Sequence, residues 1–131
     1  MTPDAKSGSP SYAVEMTTEP YSHIAATNGF LRATFRLLRT EEGGRRTGIF
    51  RDYRPNWSID TADPAQQSGA PVVIDSTNQL EPGESAEVRL FPFWREFWTD
   101  VKVGTELFAF EGARLVGTAI VTEVIRPPES S

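Results

Sequence analysis

From Leu31 to Leu38 the chain alternates in character. Leu31, Ala33, Phe35 and Leu37 fall on one side of an extended backbone, and Arg32, Thr34, Arg36 and Leu38 fall on the other. A period of two predicts a strand with one buried face. The segment SAEVRLF repeats the pattern, with Ala86, Val88 and Leu90 inward and Glu87 and Arg89 outward. PVVID, from Pro71 to Asp75, predicts a short strand, and the Pro82-Gly83 turn in EPGES leads into the strand that follows. Near the C-terminus, TELFAFEGARLVGTAIVTEVI predicts two apolar strands about a Glu111-Gly112-Ala113 turn, where Gly112 supplies the positive φ of a tight hairpin. No segment carries a convincing helical period. Residues 1–26 are rich in Pro, Ser, Thr, Ala and Glu, with hydrophobic residues too sparse to offset the entropy of ordering, and predict a disordered arm; residues 127–131 predict a disordered tail.

Short strands punctuated by Gly and Pro predict a sandwich or a small closed barrel. The barrel is favoured because closure removes exposed edges, and roughly six strands would form it within residues 27–126.

Composition narrows the function. At 131 residues the chain holds one core, and with no cysteine it excludes disulfides, thiolate metal sites and a cysteine nucleophile. No run approaches the roughly 18 apolar residues of a membrane span, and the first residues lack a basic, then apolar, leader pattern. A soluble cytoplasmic protein with no membrane partner is the expectation. A pI near 4.9 argues against general nucleic-acid binding, DNA included, because phosphates would meet mostly negative charge. The charge is uneven, however. Between Arg32 and Arg54 seven arginines stand against three carboxylates. For Arg32, Arg36 and Arg39 the ordinary reading is solvated strand surface. Catalysis has poor support: His23 is the single histidine and falls in the expected arm, and adjacent Glu41 and Glu42 read as solvated charge, so no enzyme, cofactor or metal is expected.

The loop EEGGRRTGIFRDYRP, Glu41 to Pro55, resembles the EGGR-x-T-x-x-F-x-x-x-YRP signature of the C-terminal domain of elongation factor Tu, the third domain of that translation GTPase. FAFEGARLVGTAIVTEVI is similar to that domain's final hairpin, and LEPGESAEVRL to the strand entered through its Pro-Gly turn. The resemblance runs from about Phe30 to Ile125. It implies a six-stranded antiparallel Greek-key β-barrel that neither binds nor hydrolyses nucleotide, packs on neighbouring domains and contacts the aminoacyl-tRNA backbone. No phosphate-cradling Gly-x-x-x-x-Gly-Lys-Ser/Thr stretch is present, which excludes GTP hydrolysis by this chain.

The resemblance implies a contact loop in which Gly43 and Gly44 allow close backbone approach and Arg45 reaches a phosphate. Arg46 stands where the family has histidine, and Asn56 where it usually has glutamine. Arg51 and Arg54 complete the basic set. Phe91 replaces a lysine and the final hairpin lacks an arginine, so two phosphate partners are missing. The residue-level alternative is that Gly43 and Gly44 make a turn, Arg45 and Arg54 pair with Glu41, Glu42 or Asp52, and Tyr53 and Pro55 pack. The segment FPFWREFWTD adds Phe91, Phe93, Trp94, Phe97 and Trp98, read either as a cluster covering the open end of the barrel or as an exposed aromatic patch for a protein partner. The leading expectation is a non-catalytic module docking a protein partner such as a translation GTPase or a ribosome-associated factor. The alternative is an accessory that binds tRNA phosphates through the arginines.

Overall fold

The computed structural model describes residues 21–50, 52–60, 66–75 and 79–127. Among these residues a helix, α1 (Ser22–Asn28), precedes nine strands: β1 (Phe30–Leu37), β2 (Ile49–Phe50), β3 (Asn56–Ile59), β4 (Ser68–Gly69), β5 (Val72–Ile74), β6 (Gln79–Leu80), β7 (Ser85–Leu90), β8 (Glu106–Glu111) and β9 (Arg114–Ile125). All pairings among the described strands are antiparallel. One sheet runs in the order β4-β3-β8-β9-β1-β7-β5, and β2 pairs with β6 in a separate ribbon.

The sheet curls into a barrel-like form. Its edge strands β4 and β5 follow one another across Ala70 and Pro71, and the Val72 N–H donates to the Tyr53 carbonyl at 2.9 Å, linking β5 to the chain entering β3. The all-β class is as expected, but the strand arrangement departs from a simple six-stranded barrel. Pro71 has no N–H to donate, so the chain from Ser68 to Ile74 forms two short strands and not one. Its carbonyl still accepts from the Phe91 N–H at 3.2 Å.

The long strands β1 and β9 form the spine. Leu31, Ala33, Phe35 and Leu37 are buried as the alternation requires, against Ala119, Val121 and Val116 of β9. The Phe35 ring meets Trp57 edge-on at 5.5 Å, and both side chains are wholly buried. Phe35 also lies over Gly117, where an added Cβ would come within 2.6 Å of the ring, so a side chain there would displace the centre of the core. At the hairpin, Gly112 has φ 64, the positive value expected of it, and Glu111 pairs with Arg114 across the two-residue turn.

Two expectations are corrected. The boundary of the N-terminal arm at residue 26 falls inside α1, and Ala25 of that helix and Tyr21 just before it are buried with Phe30 and Phe91 on the outer face of the sheet. Tyr21, Ile24, Ala25 and Asn28 share one helical face. A helix this short is marginal alone and holds through that packing. Residues 1–20 and 128–131 lie outside the described residues. The second correction is Arg89, expected to face water but only 6% exposed. Its Nε donates to Asp75 Oδ1 at 2.6 Å and its guanidinium sits 5.9 Å from the Phe91 ring centroid. The face it occupies is the one that α1 and Phe91 cover, and a buried guanidinium must find a carboxylate there.

Candidate functional site

The loop after β1 is a built turn. A single 3-10 turn, Thr40–Glu42, ends at Gly43 in the left-handed conformation, φ 93, where a Cβ would be strained. Gly44 is buried: its N–H donates to the Arg39 carbonyl at 3.1 Å, and an added Cβ would lie 2.8 Å from the Leu38 carbonyl oxygen. The Glu42 carboxylate accepts from the Arg39 N–H at 2.7 Å and from Arg36 at 2.8 Å. Those bonds, the Arg39 N–H first, hold the Glu42 carboxyl below its ordinary range. The two glycines therefore serve the turn, and only Gly43 presents its backbone to solvent.

Arg45 is held internally. It pairs with Glu111 at the end of β8, donates through Nε to the Thr47 carbonyl at 3.2 Å, and lies 5.3 Å from the Tyr53 ring centroid. The Tyr53 hydroxyl donates to the same Glu111 oxygen. Burial, then the hydrogen bond and charge of Glu111, push the Tyr53 hydroxyl well above its ordinary pKa. The expected partners Glu41, Glu42 and Asp52 are thus replaced by Glu111, which the curl of the sheet delivers 66 residues further along the chain.

The remaining basic positions differ. Arg46 is exposed and has no ion pair among the described residues. Arg54 is exposed and its guanidinium lies 6.0 Å from the ring centroid of Tyr21. The Tyr21 hydroxyl donates to Asp52 Oδ1 at 3.0 Å, and burial and that bond raise its pKa. Asp52 itself holds φ 69 at the turn, a conformation Asp tolerates better than most residues. Asn56 begins β3 and is exposed. Arg51 lies outside the described residues.

The aromatic segment splits. Phe91 is fully buried, stacked on Phe30 at 5.3 Å, and is not available to a partner. Trp98 is 4% exposed and its indole N–H donates to Ser68 Oγ at 3.2 Å, so it too is core. Phe91 is covered by α1 and Phe30, while Trp98 turns inward because residues 95–98 form a 3-10 turn and not a strand, which replaces two-residue alternation by a tighter winding. Phe93 at 48% and Trp94 at 59% are left exposed, while Phe97 is half-buried, 6.5 Å from Trp94 and 5.8 Å from Trp98 between ring centroids. The backbone under them is fixed: the Phe93 N–H donates to the Gly69 carbonyl at 3.1 Å, and the Asn28 amide donates to the Pro92 carbonyl at 2.9 Å.

Glu111 and Tyr21 were not singled out as site residues by sequence reasoning. Glu111 sits in a turn that read only as a hairpin, and its pairing depends on contacts distant in sequence. For Tyr21 a signal existed in the spacing of Tyr21, Ile24, Ala25 and Asn28 ahead of Gly29.

No model of a known protein family matches the chain. Among the described residues, no helix is long and apolar enough to cross a membrane.

Proposed function

We propose that this chain is a non-catalytic binding module, similar to the C-terminal barrel of elongation factor Tu, that docks a protein partner connected with translation. The observation that carries the docking surface is the pair Phe93 and Trp94, both about half exposed, on a turn whose neighbours Phe91 and Trp98 are anchored in the core. Aromatic side chains held on an ordered backbone lose little entropy on binding and dominate interface energetics. Gly43, Arg46, Arg54 and Asn56 are the exposed members of the contact loop. The translational connection rests on the resemblance of Glu41 to Pro55 and of the final hairpin to that family.

The second reading, contact with tRNA phosphates, draws support from Arg46, which is exposed and has no ion pair among the described residues. It is weakened by the engagement of Arg45 with Glu111. Pull-down from the native cell extract, with and without nuclease, separates the two. A protein partner should survive nuclease and rising salt, and should be lost from Phe93→Ala/Trp94→Ala. Capture that vanishes with nuclease and with Arg46→Ala, while tolerating the aromatic double variant, would replace the leading reading by the second.

A further inference from the structure

We infer that the pocket between the end of α1, the Arg95–Trp98 turn and the end of β9 binds an amphipathic carboxylate, a short branched apolar group joined to a carboxylate. The pocket has a volume of about 110 Å³, with Phe30, Leu31, Trp98 and Val124 among its apolar lining residues and Arg95 and Arg126 as its two cationic ones. Its apolar walls are fixed by Phe30 stacking on Phe91 and by the Trp98 hydrogen bond to Ser68.

Charge supplies the second half of the argument. The chain carries a formal net charge of −5, yet both arginines of this pocket are exposed and neither has an ion pair among the described residues. Other polar groups nearby are already engaged. The Asn28 amide donates to the Pro92 and Phe93 carbonyls at 2.9 and 3.3 Å, and the Thr99 hydroxyl to the Arg95 carbonyl at 3.3 Å. Among the described residues the two arginines are therefore the lining side chains whose donors are not engaged, and a guanidinium's planar fork matches a carboxylate.

Size sets the apolar group. An apolar cavity of about 150 Å³ accepts benzene, so this smaller pocket suits a group of isobutyl dimensions. A bare inorganic anion would meet the arginines but leave the apolar walls uncovered. Two sources share the required chemistry: a free branched short-chain acid, and the C-terminal carboxylate of a polypeptide ending in Leu or Val. Phe93 and Trp94 do not line this pocket, although they adjoin Pro92 and Arg95, which do.

Titration of the full chain, followed by NMR shifts of Thr99, Val124 and Ile125, tests the assignment. The probes are 4-methylpentanoate, N-acetyl-Gly-Leu with a free carboxylate, and the same dipeptide as its amide. At least one carboxylate should saturate the shifts, the amide should bind about tenfold more weakly or worse, and Arg95→Gln/Arg126→Gln should weaken the carboxylate by a similar factor without changing the melting temperature. The tighter of the two carboxylates identifies the source. Trp94→Ala should leave binding unchanged, which separates this site from the docking face. The assignment is overturned if no carboxylate saturates by about 10 mM, if the amide binds equally well, or if the double arginine variant retains full affinity.

Discussion

The basic loop after β1 and the aromatic segment after β7 invert the usual distribution of charge and apolar surface. In the loop, a guanidinium that would be expected in water is turned inward, because Arg45 finds the Glu111 carboxylate at the end of β8 and the ring of Tyr53, which precedes β3. In the segment, Phe93 and Trp94 remain exposed although each would gain from burial. The difference is one of partners. Every polar atom drawn inward needs a hydrogen-bond partner, which a distant strand provides in the loop, while the 3-10 winding of residues 95–98 can place only part of an aromatic cluster in the core.

The sharpest way to break the comparison uses two tryptophans of one segment. Trp98→Ala should destabilise by about 3–5 kcal/mol, since it removes a buried ring and leaves a cavity, whereas Trp94→Ala should stay within about 0.5 kcal/mol. Urea midpoints of the two variants measure this directly. Equal losses would mean that the exposed ring belongs to the core after all.

Gly44→Ala comes next, at about 1–3 kcal/mol. The new Cβ would press on the Leu38 and Arg39 carbonyl oxygens, 2.8 and 2.9 Å away, and backbone yields less readily than a flexible side chain. A melting temperature equal to that of the parent chain would show that the turn can open, and would return Gly44 to the set of contact residues.

Arg45→Ala should cost about 1–2 kcal/mol, because Glu111 and the Tyr53 ring lose their partner in a half-buried site. Arg46→Ala should be neutral within about 0.5 kcal/mol. If both prove neutral in thermal melts, the internal ion pair contributes nothing measurable and the contrast between the two arginines disappears.

The smallest effect is alkaline. Tyr53 ordinarily titrates near 10.0 and is raised in the folded chain. The folded state then holds its proton where the unfolded state has lost it, so this contribution is full below pH 10 and declines as the pH rises beyond it. Between pH 9 and pH 11 the parent chain should lose about 1 kcal/mol more stability than Tyr53→Phe. Identical alkaline losses would show that the hydroxyl sits in water, contrary to its bond with Glu111.

Much of the fold is legible along the chain. Alternation places β1 and its buried face, Pro82-Gly83 opens β7, and Gly112 turns the final hairpin. These features depend on a local period or a local φ, which neighbouring residues fix among themselves. The candidate site was less legible. Arg89 follows the strand period and is still buried, because α1 and Phe91 cover a face that alternation assigns to water. Phe91 and Trp98 are indistinguishable in type from Phe93 and Trp94; α1 and Phe30 cover Phe91, and the 3-10 turn carries Trp98 into the core.

By itself the sequence determined the all-β class, the principal strands and turns, and the absence of any thiol chemistry. Each of these follows from residue type and short-range spacing. The tertiary structure alone decided which arginines remain free, which aromatics face solvent, and that Arg95 and Arg126 share one apolar pocket. Those outcomes depend on long-range pairing across the curled sheet, where a group's partner lies tens of residues away and its exposure is set by whatever the fold brings against it.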